Sequence, residues 1–184
     1  MHELILGGQR SGKSRTAEAR AAQWLARSAQ HEALLLATAT AGDAEMAARI
    51  ARHRADRART LPRLRSLDVA QALPEALRAH SAPQRLLLVD CLTLWMTQLL
   101  MPLPPQPPQD AAAAQQALLA ALAEARGPVV LVSNEIGLGV SPLPRQARAF
   151  VDALGRLHQA VAAACARVTF MVAGLEVPVK PGVR

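Results

Sequence analysis

The chain has 184 residues, half of them apolar but only 2% aromatic, with two Trp, two Phe and no Tyr, so its core must be Leu, Val and Ala. One domain over residues 1–184 is expected, long enough to bury about 70% of its unfolded surface, and the aromatic shortage argues against a base-stacking surface for nucleic acid. The formal charge is +7, and Lys13 and Lys180 are the only lysines; the scattered arginines read first as compositional bias and second as affinity for an anionic ligand.

Leu4-Ile5-Leu6 is a short apolar run that stops at Gly7-Gly8, a strand ending in a turn. Residues 14–29 carry Ala17, Ala21, Trp24 and Leu25 on one helical face. Ala33–Ala37 reads as a buried strand. Asp43 then N-caps a helix reaching about Arg57, with Met46 and Ile50 as its apolar anchors. A basic segment, Arg57–Arg65, is broken by Pro62 and leads to a helix near Asp68–His80. A strong strand Arg85–Val89 precedes a helix Leu92–Leu100. Met101–Gln109 holds five prolines and reads as an irregular surface loop. The spacing then gives a helix Ala111–Ala125, a strand Val129–Val132, a long helix Pro144–Ala164 and a final strand Val168–Val172.

These strands are continuous apolar runs, which means both faces are covered. Alternation of such strands with helices is the pattern of a mostly parallel, doubly wound α/β sheet with helices on both faces. Ligands of such sheets sit beyond the carboxyl ends of the strands, which directs attention to Gly7–Ser14, Thr38–Thr40, Asp90 and Ser133–Gly139. Cys91 and Cys165 have no metal or redox spacing. No leader and no membrane-length apolar run is read, so a cytoplasmic protein without a membrane span is expected.

Gly7, Gly8, Gln9, Arg10, Ser11, Gly12, Lys13 and Ser14 fit the phosphate-loop pattern between a first strand and a helix. Glycines let successive backbone N–H groups turn toward phosphate oxygens, and the helix adds its positive end. Lys13 suits the β- and γ-phosphates, and the Ser14 hydroxyl suits Mg²⁺. A lysine in a chain that otherwise favours arginine points to a need for a compact ammonium. Asp90, closing Leu86-Leu87-Leu88-Val89, is the expected acid on the metal side.

On the helix after the second strand, Glu45, Arg49, His53 and Arg57 follow at steps of four and form one stripe, with Arg52 and Arg54 flanking the histidine. Arginines can hold phosphates beside an imidazole, and a neutral imidazole there can accept a phosphoryl or nucleotidyl group. The local pattern equally describes a solvated histidine on a basic helix.

Taken together, GGQRSGKSR at 7–15, ATAT at 37–40, DAEMAARIARHR at 43–54, LLLVDCLTLWMTQLL at 86–100, VVLVSNEIGLGVSP at 129–142, FVDALGRLHQ at 150–159 and GLEVPVK at 174–180 resemble the bifunctional adenosylcobinamide kinase / adenosylcobinamide-phosphate guanylyltransferase family of cobalamin biosynthesis. The resemblance implies a RecA-like P-loop NTPase fold and a homotrimer. It implies phosphorylation of adenosylcobinamide by ATP or GTP, then transfer of GMP from GTP to the new phosphate with release of pyrophosphate. His53, in RIARH, matches the family's guanylylated histidine. Gly7–Ser14, Ala37, Thr38, Ala39, Arg54, Ala55, Asp56, Arg57 and Asp90 match its nucleotide contacts, and Glu135 matches its Asn-Glu motif as a general base or a group near Mg²⁺. Lys13 joins His53 as a catalytic residue, and Ser14 and Asp90 as the Mg²⁺ pair.

Two departures stand out. Leu61, Arg63 and Arg65 replace a Trp-x-Thr-x-Glu stretch whose glutamate suits guanine, because guanine donates from N1 and its 2-amino group. Either Asp68 accepts those bonds in a shifted register or base selectivity is looser. His158 stands where the family usually has Asn and reads as a partly exposed helix residue. The rival readings are a P-loop kinase of another metabolite without a histidine intermediate, and a regulatory or nucleic-acid-binding P-loop protein.

Overall fold

The computed structural model describes residues 2–181, apart from the side chain of Arg49. Strands β1 (Glu3–Gly7), β2 (Glu32–Ala37), β3 (Leu64–Asp68), β4 (Arg85–Asp90), β5 (Val129–Asn134), β6 (Arg167–Val172) and β7 (Leu175–Pro181) form one sheet. Its order is β3-β2-β4-β5-β1-β6-β7, with β6–β7 antiparallel and the other five of these pairs parallel. The helices are α1 (Lys13–Ala26), α2 (Ala44–Thr60), α3 (Leu73–His80), α4 (Leu92–Leu100), α5 (Ala111–Glu124) and α6 (Arg145–Ala164).

Side chains alternate across a strand, so an apolar run feeds two cores at once. Leu4, Leu87, Val89 and Leu131 point into one core with Trp95, Leu118, Leu157 and Val161, under α3 to α6. Ile5, Leu86, Leu88, Val130 and Val132 point into the other, against Ala17, Ala21 and Leu25 of α1. Each fully buried Leu or Val contributes about 1.5–3 kcal/mol relative to exposure. The doubly wound sheet with helices on both faces is the observed architecture.

Two strands depart from the sequence-based expectation. The end of the basic segment is β3, an edge strand with only Leu64 buried, so its apolar signal is one-sided. Because Asp68 ends that strand, α3 starts at Leu73, after a turn in which Ala70 has φ 41°. Asp90 therefore closes the fourth strand, β4. The strand at Arg167–Val172 is not the final one either. Ala173 and Gly174 both take positive φ, 50° and 84°, as a two-residue hairpin turn requires, and β7 returns along the edge. Pro178 and Pro181 disguise β7, since proline fits a strand only at an edge or a bulge, and the register shifts at Val168/Thr169 opposite Pro178.

Candidate active site

Strand β5 lies between β1 and β4, so three carboxyl ends converge. Gly7 pairs with Asn134, Asp90 pairs with Val132, and the Glu135 amide donates to Gly7 O at 3.0 Å. The phosphate loop, Asp90 and Glu135 thus occupy one edge.

Gly7 is needed for close approach: a Cβ there would lie 2.6 Å from Met171 O and 2.7 Å from Ser11 Oγ, at φ 153°. Arg10 (φ 57°) and Gly12 (φ 100°) turn the loop into α1. Lys13 is buried and donates from Nζ to Gly8 O at 2.6 Å, curling its ammonium over the loop. Burial pushes that ammonium below its usual range, opposed by the acidic groups of Cys91 and Asp90. The Cys91 thiol is itself pushed up to about 12 by burial, so Asp90 supplies the nearby negative charge. Among the described residues Ser11 Oγ has no hydrogen-bond partner although it is buried, and a buried hydroxyl left so is costly unless a ligand oxygen meets it. Gly8 and Gln9 are exposed at the rim, and Ser14 is half-buried at the start of α1.

Thr38 is fully buried, with Oγ1 donating to Cys91 O and accepting from Cys91 N, both at 2.8 Å. Its amide donates to Asp90 O at 3.2 Å. Its side chain therefore braces the end of β2 against the Asp90–Cys91 backbone, while Ala37 and Ala39 on either side are half-buried.

Helix α2 starts at an Asp43 cap, whose Oδ1 accepts from Met46 N at 2.7 Å. None of its described side chains is buried. His53 is exposed, as are Ala55 and Asp56. Arg54 donates from one nitrogen to both oxygens of Asp68, at 2.6 Å each, so Asp68 is already engaged. Arg57 turns inward to Glu18 of α1, NH1 to Oε1 at 3.8 Å, and its Nε is buried without a partner among the described residues. Burial pushes the Glu18 carboxyl up; Arg57 opposes that, and Asp90 and Asp56 add to it. The last turns of α2 therefore lie close to the helix of the phosphate loop, with His53 one turn earlier on the Arg57 stripe. Arg49 belongs to that stripe, but its side chain lies outside the described residues. Arg63 is a brace, donating to Leu25 O, Ala29 O and His31 O, and Arg65 is exposed on β3.

Glu135 and His158 form a pair that the sequence left apart. His158 is 6% exposed, which corrects the expectation of a partly exposed helix residue: α6 presents this face to β5. Its Nε2 meets Ser133 Oγ at 2.7 Å and its Nδ1 lies 3.5 Å from Glu135 Oε2. Ser133 in turn meets Thr93 Oγ1 at 3.0 Å. Thr93 and Glu18 were not foreseen; for Glu18 the signal was its place four residues after Ser14, on the same helical face.

Among the described residues no three His, Cys, Asp or Glu side chains gather to hold a metal ion. One carboxylate and one hydroxyl, Asp90 and Ser14, nevertheless suit Mg²⁺, which is commonly held by one or two protein oxygens together with substrate phosphates and water. A cavity of about 380 Å³ lies at the opposite edge of the sheet, where Glu3 already pairs with Arg20 at 3.0 Å. The orphaned Ser11 hydroxyl and the buried Lys13 ammonium sit instead at the carboxyl edge. A smaller cavity of about 180 Å³ opens there between α2 and α4, lined by Met46, Leu94, Met101 and Leu103. No helix among the described residues is long and apolar enough to cross a membrane.

The family model described as cobinamide kinase / cobinamide phosphate guanyltransferase matches residues 3–179. The bifunctional adenosylcobalamin biosynthesis protein of Pseudomonas aeruginosa is 51% identical over 181 residues, covering 98% of each chain. Proteins of the same description from Escherichia coli and Salmonella typhimurium are each 37% identical over 187 residues, covering 96% of this chain and 98% of theirs.

Proposed function

The chain belongs to the cobinamide kinase / cobinamide phosphate guanyltransferase family, and from that premise we propose that both reactions run at the one phosphate-loop site, with His53 carrying the guanylyl group. The enzyme phosphorylates cobinamide and guanylylates the product, in cobalamin biosynthesis.

In the kinase step the substrate hydroxyl attacks the γ-phosphate of ATP or GTP while Lys13 and the loop amides balance the charge on the transferring group. Mg²⁺, when bound beside Ser14 and Asp90, neutralises phosphate charge. In the second step the His53 imidazole attacks the α-phosphate of GTP. A P–N bond forms, the bond to the β-phosphate breaks, and pyrophosphate leaves. An oxygen of cobinamide phosphate then attacks the same phosphorus and frees the imidazole. Gly7–Ser14, Ala37–Ala39, Arg54–Arg57 and Asp90 form the nucleotide contacts in this reading, with Thr38 contributing backbone because its hydroxyl is engaged. For guanine the available acceptor is Asp68, once Arg54 releases it to a phosphate.

The observation that carries this reading is the approach of Arg57 to Glu18. It brings the end of α2 to the phosphate-loop helix and leaves the exposed imidazole of His53 one turn away. The test uses His53→Ala with adenosylcobinamide, ATP and GTP. Adenosylcobinamide phosphate should accumulate with no guanylylated product; guanylylated product at the wild-type rate contradicts the assignment.

The assembly in this proposal is a homotrimer. The exposed face of α2 and the exposed Leu175, Val177 and Val179 on edge strand β7 support an interface. The compartment is the cytoplasm, in keeping with the free, buried Cys91 and Cys165. The +7 charge then serves anionic small substrates rather than nucleic acid.

A further inference from the structure

The mechanism above leaves one buried polar chain unused, at the point where β5 meets the phosphate loop. One end of it has a direction fixed by hydrogen-bonding capacity. The Asn134 amide can only donate, and it donates to Thr93 Oγ1 at 2.8 Å. Thr93 Oγ1 lies 3.0 Å from Ser133 Oγ, and Ser133 Oγ lies 2.7 Å from His158 Nε2. If each hydroxyl passes its proton along the chain, Nε2 is the acceptor and the ring carries its proton on Nδ1. Among the described residues Nδ1 has no other partner, and it faces Glu135 Oε2 at 3.5 Å. Burial lowers the His158 pKa, so the ring is the neutral donor rather than a charged one.

The other end of the carboxylate is also held: Glu135 Oε1 accepts from Gly137 N at 2.7 Å, and the Glu135 amide donates to Gly7 O. Glu135 thus stands beside the first residue of the phosphate loop with its carboxylate gripped from two sides. A gap of 3.5 Å is longer than a good hydrogen bond, and such contacts commonly tighten when substrate binds.

We propose that Glu135 is the general base of the kinase reaction and that His158 is the positioning residue that aims it, through Nδ1, with Ser133 and Thr93 setting the tautomer. Glu135 takes the proton of the substrate hydroxyl as that oxygen bonds to the γ-phosphorus. The bond to the β-phosphate oxygen breaks, and its electron pair leaves with the nucleoside diphosphate. Formation of the guanylyl-histidine from GTP deprotonates no hydroxyl, so it does not use this pair. The inference rests on the preceding reading that the kinase reaction runs at this phosphate loop.

The two histidine nitrogens can be separated by substitution. His158→Asn keeps a donor near Nδ1, whereas His158→Gln keeps a partner near Nε2 and loses the grip on Glu135. H158Q should lower kinase kcat about 10- to 100-fold, the loss typical when an orienting partner is removed, with little change in KM. E135Q should lower it at least as far, and H158N should recover most of the loss. Guanylyl transfer from GTP to supplied cobinamide phosphate should stay within about twofold of wild type in H158Q and H158N. Equal H158Q and H158N, parallel loss of both reactions, or a fully active E135Q would overturn the proposal. Should H158Q fail to fold, nitrogen-15 NMR of the wild-type ring decides: a proton on Nδ1 supports the chain, and one on Nε2 sinks it. Failure of wild-type protein to make cobinamide phosphate would count against the preceding reading instead.

Discussion

At the residue scale, burial gives the site its chemistry. Lys13 loses water, which in the proposed site would make its ammonium worth more to a phosphate. The same burial acts on His158 in the opposite sense for stability. Its folded pKa is lowered from 6.5, chiefly by desolvation and against the pull of Glu135. As pH falls through 6.5, the unfolded histidine takes a proton that the folded one refuses, so unfolding becomes easier. His2 is shifted in the same direction, first by burial. Thermal melts should therefore show Tm declining from pH 7 to pH 5.5, less steeply in His158→Asn; identical slopes would remove His158 as a source. The strand, turn and helix start around Gly7–Ser14 were legible in the sequence because backbone turns and a helix start are local. The burial of His158 was not, since it depends on α6 meeting β5.

At the element scale, α2 differs from the other helices. It is capped by Asp43 and tied through Arg54–Asp68 and Arg57–Glu18, yet buries none of its described side chains. Losing the cap costs about 1 kcal/mol, and in a helix so loosely packed that loss stays local. Asp43→Ala should speed amide exchange in α2 by about fivefold and slow guanylyl transfer. The global denaturation midpoint should hold; a shift of that midpoint would mean α2 is part of the cooperative core. Interior strands β1, β4 and β5 announced themselves as apolar runs. Edge strands β3 and β7 did not, because LRSLD buries one leucine and LEVPVKP carries two prolines.

At the scale of the whole molecule, the alternation of strands and helices was enough to foresee a doubly wound sheet. It could not foresee that Glu18 and Arg57, thirty-nine residues apart, would bring α2 to α1. The exposed apolar residues of β7 bear on assembly: light scattering should give three times the 19.6 kDa chain mass, and a monomer mass would contradict the trimer. The central claim, that one chain holds GMP on His53 between the two reactions, is tested most directly by incubating the enzyme with GTP labelled at the α-phosphate and denaturing it. The protein should carry label that acid removes and base does not, absent in His53→Ala and transferred to cobinamide phosphate when that is added. Wild-type protein that transfers guanylyl groups yet retains no label, or His53→Ala that labels normally, would contradict it.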